Sequence, residues 1–99
     1  MVVAEVSVSV LGESASIGRF VRTAVEALKK SGLKTLPGPN STSIEAATLD
    51  EVLAAVRDAH MAVVDAGAKR VVTTLKIDDR RDKLATMESK LGAINQSST

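Results

Sequence analysis

The sequence predicts an α+β domain in which a four-stranded antiparallel sheet carries two helices on one face and a third helix follows at the C-terminus. Apolar residues alternate along four short segments, as in half-buried strands, and recur every three or four residues along three longer segments, as in amphipathic helices. Ninety-nine residues are enough for one such domain with a single core. Because the segments follow the order β-α-β-β-α-β-α, crossover rules place the first two helices on the same face.

The first strand is predicted from Val2 to Leu11, where the even positions are valine or alanine and the odd positions are mostly polar. Residues 12–15 break this alternation, and Ser14 or Ser16 is a candidate N-cap of the first helix. That helix has one apolar face, made by Ile17, Phe20, Val21, Ala24, Val25 and Leu28.

The second strand is predicted from Leu33 to Leu36 and ends at residues 37–40, a turn whose two prolines cannot donate to a sheet. The third strand is predicted from Thr42 to Ala47. Because Ile44 marks its buried face, Glu45 lies on the opposite face. The function of that outward carboxylate is the question that the segment raises.

The second helix begins at a capping box, in which Thr48 is followed three residues later by Glu51. Its apolar periodicity stops at Gly67, a residue suited to the end of a helix. The fourth strand is predicted from about Arg70 to Ile77, where apolar and polar residues again alternate.

A third helix is predicted from roughly Arg81 to Ala93, with Asp78 or Asp79 as its N-cap. No linker or internal repeat interrupts the chain. We therefore expect a single domain over residues 1–94, followed by a flexible tail over residues 95–99.

The element order matches the ferredoxin-like, or split βαβ, arrangement: a βαββαβ sandwich with an added C-terminal helix. The apolar sides of the strands then face the helices, which leaves the other side of the sheet uncovered. Water, a second subunit or a ligand could meet this open face. Its polar residues are Glu5, Ser7, Ser9, Ser43, Glu45, Thr74, Lys76 and Asp78.

Composition excludes several classes of function. A formal net charge of +1 gives no strong attraction to nucleic acid or to an acidic membrane, and Phe20 is the sole Phe, Tyr or Trp available to stack on a base. The absence of cysteine excludes disulfides, thiol nucleophiles and thiolate metal sites. No membrane-length apolar run and no signal-peptide pattern is visible, so we expect a cytoplasmic protein.

Catalysis has little support in the sequence. His60 is the single histidine and falls within the second helix, where a surface or interface role is favoured over that of a base. Asp78 and Asp79 lack the spaced oxygen ligands of a calcium loop. We therefore expect neither an enzyme nor a bound metal.

Three segments together resemble the small thiamine-binding-protein-like family of ferredoxin-like domains: residues 2–12, residues 38–46 and residues 70–82. The likeness covers about residues 2–94. It implies a subunit with an added C-terminal helix, assembled as a homodimer or commonly a homotetramer. It also implies non-catalytic binding of thiamine, or of its hydroxymethylpyrimidine moiety, in some members. A regulatory or structural oligomer without a small-molecule ligand is the alternative.

Two candidate ligand-binding residues, Thr42 and Glu45, follow from the resemblance because they match its pattern by position. Many members have Met-Gly-Thr where this chain has residues 40–42, and glycine where it has Ala46. Neighbouring polar residues are added on physical grounds, because hydroxyl and amide groups can bind an amine or a ring nitrogen. The full candidate set is Thr42, Glu45, Ser7, Ser9, Asn40, Ser43 and Thr74.

Overall fold

A computed structural model describes the backbone of residues 1–12 and 17–97 and the side chains of residues 1–12 and 17–94. Seven elements follow one another in the predicted order. They are β1 (Val2–Val10), α1 (Ile17–Lys30), β2 (Lys34–Pro37), β3 (Thr42–Ala46), α2 (Leu49–Asp65), β4 (Val71–Asp79) and α3 (Met87–Ser97).

The four strands form one sheet in the order β2-β3-β1-β4, and all three neighbouring pairs are antiparallel. This order and the β-α-β-β-α-β connectivity confirm the ferredoxin-like α+β fold. β1 lies at the centre, paired with β4 from Val2 to Val10 but with β3 only from Val2 to Val6. The unequal pairing leaves the second half of β1 with a neighbour on one side only.

The core lies between the sheet and the helices α1 and α2. The even-numbered side chains of β1 point into it, and Ile44 of β3 is fully buried there, as the alternation predicts. Val52 and Val63 of α2 are also fully buried. Among the described helices, none is long and apolar enough to cross a membrane.

The predicted capping box of α2 is confirmed. The Thr48 hydroxyl accepts a hydrogen bond from the backbone N–H of Glu51 at 3.2 Å and donates one to the Glu51 carboxylate at 3.0 Å. At the other end of the helix, Gly67 has φ = 101°, a conformation that glycine adopts without strain. The predicted caps of α1, Ser14 and Ser16, lie outside the described residues.

His60 links α2 to the sheet. Its Nδ1 lies 2.7 Å from the hydroxyl of Thr73, in a half-buried position between the helix and β4. This geometry gives the residue a structural, interface role.

The N-terminus of α3 differs from the prediction. Asp78 and Asp79 continue β4 instead of capping the helix, because their segment stays paired with Val3 and Val2 of β1. The cap is Thr86, whose hydroxyl accepts from the N–H of Ser89 at 3.0 Å while the Ser89 hydroxyl accepts from the N–H of Thr86 at 2.9 Å. The helix starts at Met87 and continues to Ser97, past the predicted end at Ala93.

We expect Thr73→Val to lower the free energy of unfolding by about 1 kcal/mol, since it leaves Nδ1 of His60 without its partner. Urea denaturation measures the loss. Thr74→Val is the matched control, because Thr74 is exposed and makes no hydrogen bond within the described residues. Equal stabilities of the two variants would show that the His60 contact contributes nothing.

Candidate functional site

The β2–β3 hairpin turns sharply at residues 38–41. The N–H of Gly38 donates to the carbonyl oxygen of Ser41 at 2.8 Å, which leaves only Pro39 and Asn40 in the loop. A Cβ atom on Gly38 would lie 3.0 Å from that same oxygen, closer than side chains normally approach. A side chain at this position would therefore press against the turn, and the hairpin ends where β1 still continues.

A cleft of about 250 Å³ lies where the hairpin turns away from β1; we call it the hairpin cleft. The second half of β1 forms one wall, α1 forms another and the turn forms the third. Its lining residues are Val6, Ser7, Val8, Ser9, Val21, Ala24, Val25, Leu28, Gly38, Pro39, Asn40, Ser41 and Thr42.

The hairpin cleft is lined by polar side chains that form no hydrogen bond within the described residues. Only 5% of Thr42 is exposed, yet no hydrogen bond of the described residues uses its hydroxyl. The same holds for the side chains of Ser7, Ser9 and Asn40, which also line the cleft. Since no fully buried side-chain polar atom of the described residues lacks a partner, the Thr42 hydroxyl keeps contact with solvent in the cleft, where a ligand can bind it.

The described residues that line the hairpin cleft carry no formal charge. A hydrogen bond joins one carboxylate to the wall of the cleft. The Oε1 atom of Glu5 accepts from the hydroxyl of Ser41 at 3.2 Å. Ser41 lines the cleft and Glu5 is exposed on the open face of the sheet. An uncharged cavity thus adjoins a solvent-exposed negative charge.

The Glu45 carboxylate has a partner of its own. Its Oε1 accepts a hydrogen bond from the backbone N–H of Met87, the first residue of α3, at 2.8 Å. A carboxylate at this end of a helix also opposes the positive end of the helix dipole. Because Glu45 is three residues along β3 from Thr42, it lies about 10 Å from the hairpin cleft.

α3 packs against the face of the sheet that was predicted from the sequence to be uncovered. Lys90 forms an ion pair with Asp78 of β4, and this hydrogen bond holds the pKa of the Asp78 carboxyl below its usual value. Met87 and Leu91 line a small cleft with Val3 and Ser43 of the sheet. The helix therefore covers one end of the open face.

The structure brings four of the seven predicted ligand residues to one place and separates the other three. Ser7, Ser9, Asn40 and Thr42 line the hairpin cleft. Ser43 lies beneath α3, Glu45 contacts the helix start, and Thr74 is exposed on β4 opposite Ser7. The part that these last three residues take in ligand binding stays a prediction.

Sequence reasoning overlooked two features of the cleft: the contact of Ser41 with Glu5, and the main chain of β1. One signal was present, because the predicted first strand had ten residues and the third only six. Strands of unequal length leave part of the longer one unpaired. Comparing the predicted lengths of the first and third strands would have located the unpaired half of β1.

A larger and more open cleft of about 660 Å³ lies at the other end of the sheet, beside the start of α2. Its arginines already have partners: Arg80 pairs with Asp82 at 2.8 Å and Arg81 pairs with Asp79 at 2.8 Å. Within the described ranges, no group of three or more histidine or acidic residues could hold a metal. The hairpin cleft is the better candidate site.

Comparisons with known proteins agree with this fold. The model of a family described as thiamine-binding protein matches residues 4–95. UPF0045 protein MJ1052 of Methanocaldococcus jannaschii is 45% identical over 95 residues, which cover 96% of this chain and 93% of the relative. The crystal structure of MJ1052 superposes with a TM-score of 0.87 at 46% identity, covering 95% of each chain. A structure from Thermotoga maritima, named a "putative thiamine biosynthesis/salvage protein" (TM0486), gives a TM-score of 0.82 at 25% identity, covering 94% of this chain and 97% of the other.

We expect Glu45→Ala to lower the free energy of unfolding by about 1 kcal/mol, because the N–H of Met87 loses its acceptor. Glu45→Gln keeps an acceptor oxygen at this position and is expected to lose less. Urea denaturation and the hydrogen-exchange rate of the Met87 amide measure both effects. An alanine variant with wild-type stability and unchanged exchange would show that α3 docks without this bond.

Proposed function

The chain belongs to the thiamine-binding protein family, and on that premise we propose that it is a non-catalytic, homo-oligomeric protein that binds thiamine or its hydroxymethylpyrimidine moiety. The ligand site that we propose is the hairpin cleft. The observation that carries the proposal is the hydroxyl of Thr42, which lines this cleft and forms no hydrogen bond within the described residues.

The size and chemistry of the cleft favour the pyrimidine half of thiamine. A volume of about 250 Å³ is at the small end for ligand pockets and suits one substituted ring. Aliphatic side chains of α1 and β1 can contact the ring faces, while the hydroxyl of Thr42 and the amide of Asn40 can bind its nitrogen atoms. An uncharged ring also avoids the cost of moving an ion into an uncharged cavity.

Glu5 is the group that we propose for the cationic half. Thiamine carries a positive charge on its thiazolium ring, which a carboxylate beside the cleft would stabilise. The contact between Ser41 and Glu5 places such a carboxylate next to the cleft wall. Glu45, which the sequence suggested for this role, contacts Met87 instead.

Exposed apolar side chains of α3 and of the segment just before it support the oligomeric part of the proposal. Leu84 is 74% exposed and Leu91 is 48% exposed, and Leu91 shares a groove with Leu36 of the edge strand β2. Apolar surface of this kind favours contact with a second copy of the chain. The same surface supports the alternative, a structural oligomer that has no small-molecule ligand.

We expect Thr42→Val to weaken binding of thiamine or hydroxymethylpyrimidine about tenfold, the equivalent of one hydrogen bond. Isothermal titration measures the affinity. The free energy of unfolding should not fall, because the hydroxyl has no partner within the protein.

Thr23→Val makes the same chemical change on α1, outside the lining of the cleft, and serves as the control: its hydroxyl donates to the carbonyl oxygen of Arg19 on the same helix, and wild-type affinity is expected. Equal affinity of the two variants would exclude Thr42 from the site. An absence of heat with either compound at millimolar concentration would contradict the proposed ligand and favour the structural oligomer.

We expect the double variant Leu84→Glu, Leu91→Glu to lower the molar mass measured by light scattering, because two carboxylates would have to be buried between subunits. Leu53→Glu is the control: Leu53 is 45% exposed on α2, on the opposite side of the sheet. An unchanged mass for the double variant would mean that α3 is not the subunit interface.

A further inference from the structure

The second half of β1 has a sheet partner on one side only. Its pairing with β3 stops at Val6, opposite Thr42, whereas its pairing with β4 continues to Val10. Beyond Val6 the hairpin turn carries the chain away from β1, and the hairpin cleft occupies the place of the missing strand. Backbone groups directed to that side have lost their partner.

The pairing pattern identifies which groups these are. The N–H of Leu11 donates to the carbonyl oxygen of Arg70 at 3.0 Å, next to β4. Because backbone groups alternate in direction along a strand and the pairing with β4 is continuous, odd residues of β1 point to β4 and even residues point to β3. Val8 therefore presents both its N–H and its C=O to the hairpin cleft.

These two groups of Val8 are unpartnered. None of the backbone or side-chain hydrogen bonds of the described residues involves Val8 on this side. Val8 lines the hairpin cleft and is itself half-buried. An unpaired strand edge offers a donor and an acceptor side by side, so these two groups are available to a ligand that can pair with a strand.

We propose that the main chain of Val8 binds the edge of an aminopyrimidine ring, as a neighbouring strand would bind it. The N–H of Val8 donates to a ring nitrogen, and its C=O accepts from the adjacent exocyclic amine. This inference rests on the proposed function and specifies the chemical class of the ligand: a planar, uncharged heterocycle with a donor next to an acceptor. The Thr42 hydroxyl then binds a second polar atom of the same ring.

The test uses the intact protein, saturated with either thiamine or 4-amino-5-hydroxymethyl-2-methylpyrimidine, whichever binds more tightly by isothermal titration. Amide hydrogen exchange is followed by NMR. We expect exchange at Val8 to slow at least about tenfold, since its N–H gains an acceptor. Ser7 and Ser9 are internal controls, because their amides already point to β4 and report any general stabilisation.

A second measurement uses 5-hydroxymethyl-2-methylpyrimidine, which lacks the exocyclic amine. We expect it to bind at least about tenfold more weakly, because the C=O of Val8 then has no donor. Unchanged exchange at Val8 at saturation, or equal affinity of the two pyrimidines, would overturn the inference while leaving the proposed function intact. No heat from thiamine or from the aminopyrimidine would overturn both.

Discussion

The difference in length between β1 and β3 is the constraint on which the candidate site depends. Nine residue pairs join β1 to β4, but only five join it to β3, because the hairpin turns back at residues 38–41. α1 covers the resulting gap from the helical side, so the gap becomes a cleft rather than an exposed sheet edge. Strands of matched length would have used the same backbone groups for pairing and left no space for a ligand.

Three carboxylates of the sheet connect elements of the fold to one another. None of them belongs to the described residues that line the hairpin cleft. Glu45 accepts from the first residue of α3, Asp78 pairs with Lys90 of the same helix, and Glu5 accepts from Ser41 of the hairpin. The face of the sheet that the sequence predicted to be uncovered is therefore partly a docking surface for α3. A ligand in the hairpin cleft would therefore be favoured if its ring is uncharged, since a charged group would lose its hydration there without gaining a counter-ion.

Most of the fold could be predicted from the sequence, because local patterns determine it. Alternation along β1 and the Thr48 capping box each depend on neighbouring residues, and the structure confirms both. The start of α3 could not be predicted in this way. Pairing with β1 extends β4 through Asp79, and this long-range contact overrides the helix-capping tendency of an aspartate. The partner of Glu45 was missed for the same reason, since Met87 is distant in the sequence.

Recognition through the main chain of β1 would make binding of the ring largely independent of the side chains around the cleft. Asn40 and Ser41 replace residues that are common in the family, and both lie in the wall of the hairpin cleft. Substitutions there change the shape of the cavity and the groups that meet a ring substituent. The N–H and C=O of Val8 are the same for almost any residue at that position, because they belong to the backbone. The hairpin residues would then determine what is attached to the ring, and the unpaired edge of β1 would determine which ring is bound.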